Sequence, residues 1–134
     1  MNNLFFAGEE IAKLAAQATA GAAVALVSSL DEARSIAREA GEFFVFPSAF
    51  DMGPAPGNRK VHVESQTWTV AFTVAPGQTG AGETMFSLVQ SIVGKGFLPG
   101  CNEFRRVASP VPVYSGSLSF YMISFSVNFP VVTG

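Results

Sequence analysis

Two runs in this chain, TWTVAFTV at 67–74 and SLSFYMISFSVNF at 117–129, admit few folds. Successive side chains of a strand point to opposite faces, and each run is long enough to cross a whole sheet. In the second run Tyr121, Ile123, Phe125, Val127 and Phe129 make one apolar face, while Leu118, Phe120 and Met122 add another over its first half. Strands that are apolar on both faces need cover on both sides. With 134 residues in all, that cover comes either from little remaining sequence or from a partner.

The rest of the chain offers helices and short strands. Leu4, Ala7, Ile11, Leu14, Ala15 and Ala18 recur at the spacing of a helix face, with Gly21 as the expected C-cap. AAVALVSS is of strand length. Ser29 followed by Glu32 is a capping box, with Asp31 also in the first turn, and predicts a helix to about Ala40 that buries Leu30, Ala33, Ile36 and Ala37 and stops at Gly41. FFVFP (43–47) reads as a strand ended by its proline, and 48–59, rich in Pro and Gly, as an irregular loop. From Lys60 to Val74 the alternation changes phase: Val61 and Val63 have one parity, Trp68, Val70, Phe72 and Val74 the other. That predicts a β-bulge near Glu64–Gln66, since no Gly or Pro is present to make a turn.

After the loop APGQTGAG, Met85, Leu88, Val89 and Ile92 mark a helix that ends at GKG. A strand at 103–108 and the segment SPVP lead to the terminal strand. The expected fold is a single α+β domain over 1–134: a mainly antiparallel twisted sheet of four or five strands with helices packed on one face.

Composition narrows the function classes. Apolar residues make up 49% and charged residues 13%, which excludes a disordered chain. Thirteen Phe imply an aromatic core or surface held for a partner. A net charge of −2 gives no electrostatic reason to expect nucleic acid, which asks for a basic face. The charge is unevenly spread: residues 1–56 carry seven carboxylates and three cations, residues 57–134 three carboxylates and five cations. Cys101 is the single cysteine and makes no internal disulfide. The start MNNLFFAGEE lacks a basic n-region, and the apolar stretch 14–27 is broken by Gln17, Thr19 and Gly21, so a cytosolic chain without a membrane span is expected.

Catalytic tools are sparse. His62 is the one histidine, and it lacks a second imidazole or a neighbouring cysteine to complete a metal site. Cys101 would need His62 as its base. Gly77, Gly80 and Gly82 match no phosphate-binding fingerprint. Glu9 and Glu10 are adjacent on a helix and do not face one another. Arg105 and Arg106 alternate across a strand and serve either as solvated charges or as an inter-subunit contact. No enzyme activity, cofactor or metal is expected.

The order of elements over residues 60–129 resembles that of the tail terminator (tail completion) proteins of tailed bacteriophages. The features that carry the likeness are the long strand with TWTVAFTV, the glycine-bearing loop, the helix ETMFSLVQSIVGKGFLPG, the short strand FRRV and the final strand LSFYMISFSV. The turn at Gly96, Phe97, Leu98 and Pro99 and the pair Tyr114 and Gly116 belong to the same pattern. Residues 22–46 depart most from it.

The resemblance implies a structural virion protein, assembled in the host cytoplasm. It would form a ring, usually a hexamer, at the head-proximal end of the tail. Its partners would be other copies of itself, the major tail tube protein and the head–tail connector or neck protein, with DNA only passing through the lumen and no membrane involved. Neighbouring subunits would then cover apolar strand faces, with Phe125 either in that contact or in the subunit's own core and Arg105 or Arg106 at the rim. Asp51, Arg59 and Lys60, in and beside a loop expected to order on assembly, complete the candidate interaction residues. The alternatives are another phage neck or minor tail subunit, a small dimeric module holding an apolar ligand, and an enzyme using Glu64 or Glu83 with Tyr114.

Overall fold

The computed structural model describes residues 5–52, 61–96 and 103–132, with backbone alone at 51, 52, 61, 62 and 132. In chain order the elements are α1 (Phe6–Ala18), β1 (Val24–Leu26), α2 (Leu30–Ile36), β2 (Phe43–Met52), β3 (Val61–Val74), α3 (Ala81–Ile92), β4 (Arg105–Val107), β5 (Val113–Ser115) and β6 (Leu118–Val132). They form an α+β fold around one mixed sheet of order β1-β2-β3-β6-β4, with β5 also paired to β6. Among the described residues only β1 and β2 run parallel; the other pairings are antiparallel.

The long ribbon β3–β6 is the backbone of the sheet, in unbroken register from Val61↔Val132 to Val74↔Ser119. On one face Trp68, Val70, Phe72, Ile123, Phe125, Val127 and Phe129 are buried beneath Ala7, Ile11 and Ala15 of α1 and Leu88 and Ile92 of α3. The opposite face is buried over half its length, where Phe44, Phe46, Ala71, Phe120 and Met122 pack with Ala33 of α2. Of the two sources of cover that the sequence left open, the chain itself supplies that of the double-sided stretches. Phe125 is wholly buried in the subunit core and is not an interface residue.

Four local expectations change with the tertiary contacts. The register of β3 is continuous against both neighbours through Glu64–Gln66, so there is no bulge there. Glu64 and Gln66 lie on the same buried row as Trp68. They are tolerated because the Trp68 Nε1–H donates to Gln66 Oε1 at 2.9 Å and the Gln66 amide donates to Glu64 Oε1 at 3.3 Å. The phase change in the sequence was a change of residue type along one face.

The bulge lies in β2 instead. Pro47 pairs with Trp68 and Ala49 with Thr67, leaving Ser48 as the extra residue. Proline lacks a ladder donor and is tolerated at such an irregularity, so Pro47 does not end the strand and 48–52 continue it. The rest of the expected loop, 53–59, lies outside the described residues.

Helix α2 stops at Ile36, short of Gly41, because Ala37 is extended. The following residues are held by the end of β3: Thr73 Oγ1 donates to the Glu39 carbonyl at 2.7 Å and accepts from the Glu42 N–H at 2.9 Å. At the end of α1 the left-handed turn begins one residue earlier than expected, at Ala20 (φ 58°), and the Gly21 N–H closes on the Ala16 carbonyl at 2.8 Å.

Candidate assembly surfaces

An open sheet has two edges, and edges are where a strand protein meets its neighbours. Here one edge is β1; the other is shared by β4 and β5, which pair with successive stretches of β6. The two differ in charge and shape.

The β4/β5 edge is cationic and protruding. Arg105 pairs with Ser126 and Arg106 with Phe125, so the two guanidiniums leave on opposite faces, and both are exposed. Neither has an ion-pair partner among the described residues. Lys95 is held beside them, because its carbonyl accepts the Phe104 N–H at 2.9 Å. Between β4 and β5 the chain runs through Ser109, whose hydroxyl accepts the Ser124 N–H at 2.9 Å and pins the segment to β6. Past that pin Val111 is 78% exposed and Tyr114 73% exposed, the two most exposed large apolar side chains described.

The β1 edge is concave, and its surroundings are acidic. A groove of about 370 Å³ lies between the start of α1 and the sheet, walled by Phe5, Leu26, Val27, Ser28, Pro47 and Trp68, with Glu9 at its side. The bulge at Ser48 sets what packs beside this groove. By adding one residue it shifts Phe50 onto the face that carries Trp68. Three aromatic rings then cluster: Phe50 to Trp68 at 5.5 Å, Phe5 to Phe50 at 6.0 Å and Phe5 to Trp68 at 6.2 Å between centroids. Gly8 lets α1 sit directly on the indole, since a Cβ there would stand 2.3 Å from Trp68 Cζ3.

Phe5 and Leu26 remain 53% and 47% exposed. Ser28, in the groove wall, donates its N–H (3.0 Å) and its hydroxyl (2.8 Å) to Glu32 Oε2. The backbone bond and then the hydroxyl bond hold the Glu32 carboxyl below its ordinary value of 4.5. Asp31 stands beside it on the same first turn of α2. The capping box is thus formed in altered shape: Ser29 Oγ accepts the Glu32 N–H at 3.2 Å, but the Glu32 carboxylate returns to Ser28 rather than to Ser29.

Of the residues singled out in the sequence, Arg105 and Arg106 stand together on one edge. Asp51 lies in β2 opposite Ser65, across the sheet from them, and Arg59 and Lys60 lie outside the described residues. Cys101 is likewise outside, and His62 is placed by its β3 backbone only. Glu64 pairs with Phe129 and Tyr114 with Ser119, ten positions apart on β6 and so about 33 Å distant along the strand, which keeps them from acting together. Among the described residues no three His, Cys, Asp or Glu side chains are grouped to hold a metal ion.

The groove escaped the sequence reading because its walls come from segments far apart in the chain, at residues 5, 26–28, 47 and 68. No protein-family model matches the chain, and no curated protein matches it at a significant level.

Proposed function

We propose that this protein is a structural subunit that closes the head-proximal end of a phage tail tube as a ring, ending tube growth and offering a surface to the head's connector. The likeness over residues 60–129 suggests this role. The observation that carries it is the sheet itself, whose two open edges have opposite electrostatic character, cationic at β4 and acidic around β1 and α2. Surfaces that differ and complement each other join copies head to tail, and a head-to-tail contact closes into a ring when its rotation allows. The partners on this reading are further copies, the tube protein and the connector, with DNA passing through the lumen.

The experiment is to purify the full chain, measure its mass by light scattering, image it by electron microscopy and add it to polymerising tail tube protein. Rings and tubes of limited length are expected. A chain that stays monomeric at all concentrations and leaves tube length unchanged would overturn the proposal.

A further inference from the structure

Resting on the ring reading, we infer that the segment Ser109–Tyr114 of one copy seats in the Phe5–Leu26–Trp68 groove of the next. The occupant is a second copy of this chain, and the contact is a projection into a socket.

Three features point to this pairing. First, the projection and the socket lie at opposite edges of one sheet, separated by four inter-strand steps, about 19 Å at the usual spacing. Neither can reach the other within a subunit, and a repeated contact between them runs in one direction around an assembly. Second, their chemistry matches. Val111 and Tyr114 offer apolar surface that the subunit leaves in water, and the groove offers an aromatic wall with exposed Phe5 and Leu26. A groove of about 370 Å³ has room for two side chains of that kind. Third, the charges that flank them are opposite. Arg105 and Arg106 lead into the projection, while Glu9 lines the groove and the Glu32 carboxylate is held on Ser28 of its wall; Asp31 next to it is already paired with Arg34 at 3.9 Å. Such flanking charges chiefly fix orientation and rate of encounter, and apolar burial supplies the affinity.

Pro110 and Pro112 add a reason for a projection to serve here. Proline restricts its own φ and biases the residue before it toward extended backbone, so the segment loses little freedom on docking.

The test uses single-cysteine chains in a Cys101→Ser background. Leu26→Cys and Val111→Cys proteins are co-expressed with distinguishable tags and oxidised, and each is also oxidised alone. Disulfide-linked pairs joining Leu26→Cys to Val111→Cys are expected, with few pairs from either protein alone. In parallel, Val111→Asp should weaken self-association by about tenfold or more, a difference equivalent to about 1.4 kcal/mol. Because Val111 is exposed, its unfolding transition should be unchanged.

If Leu26→Cys links mainly to itself, the β1 edges meet across a two-fold axis and the head-to-tail contact is wrong. If Val111→Asp forms normal rings, this contact is wrong and the ring reading stands. If the unmodified protein is monomeric at every concentration, both fail together. A small apolar molecule that co-purifies in the groove, detected by mass spectrometry, would also overturn the inference, because it would hold the place assigned to the neighbour.

Discussion

From Trp68 to Val74, opposite Ser119 to Phe125, the β3–β6 ribbon is packed on both faces; from Val63 to Thr67, opposite Ser126 to Pro130, it is packed on one. The covered face is the same throughout, under α1 and α3. The difference lies on the other face. In the first half it carries Ala71, Phe120 and Met122 beneath α2 and β5, whereas in the second it carries Val63, Ser65, Thr67, Ser126 and Asn128, all exposed or half-buried.

A row of hydroxyls marks the border: Ser48 bonds Thr69, and Thr69 Oγ1 lies 2.7 Å from Ser124 Oγ. Seven residues of α2 can shield only part of a fifteen-residue strand. Where the shield ends, the side chains become small and polar. Apolar composition along a strand therefore reports how far the subunit's own cover extends.

The comparison can be broken most directly at the fully packed end. Phe125→Ala should lower unfolding free energy by about 3–5 kcal/mol, the usual cost of emptying a buried phenyl site, while Thr67→Val at the one-sided end should change it by no more than about 0.5 kcal/mol. Chemical denaturation of the two variants measures both, and similar losses would erase the distinction.

Gly8→Ala probes the point where α1 rests on the ribbon. Alanine favours a helix by about 1 kcal/mol, but its Cβ would stand 2.3–2.6 Å from a buried indole, so overpacking should win with a loss of about 1–3 kcal/mol. A stabilised variant would show that α1 can lift from Trp68 without cost.

Thr69→Val tests the border itself. It leaves Ser48 and Ser124 without their shared partner and should cost about 1–2 kcal/mol; an unchanged midpoint would show that water replaces the threonine freely. Ser29→Ala removes the α2 cap and should cost about 1 kcal/mol, with amide exchange rising in residues 30–36 before it rises in α1.

The smallest effect is a pH dependence. The folded Glu32 carboxyl lies below its ordinary value of 4.5 because it accepts from the Ser28 N–H and hydroxyl. Its contribution is therefore complete above the unfolded value and is lost as pH falls through the lower folded value. Amide shifts at the start of α2 should report that loss on acidification, and Glu32→Gln should abolish it. A titration at or above 4.5 in the folded protein would contradict the assignment.

Much of this was legible in the chain. Helical spacing located α1 and α3, long runs of β-forming apolar residues located the two long strands, and Ser29 with Glu32 located the start of α2. These are local signals: a cap, a turn residue or an alternation is readable because the interacting groups are a few positions apart. Of the site, the sequence supplied Arg105, Arg106 and the charge asymmetry between the two parts of the chain. It did not supply the groove, whose walls come from residues 5, 26–28, 47 and 68.

What the tertiary structure alone decided was where local preference gave way to a distant partner. The helical signal through Ala40 lost to Thr73, whose hydroxyl and backbone bind Glu39, Gly41 and Glu42 from across the sheet. The apparent phase change in β3 dissolved because Gln66 accepts from Trp68 and donates to Glu64 within a buried row. Phe125, which by its alternation alone could have faced a neighbour, went to the core because α1 and α3 lie over that face. Alternation fixes which residues share a face of a strand, since the backbone geometry imposes a period of two. Which face is dry depends on elements far away in sequence, because burial is a property of the packed sheet and not of the strand.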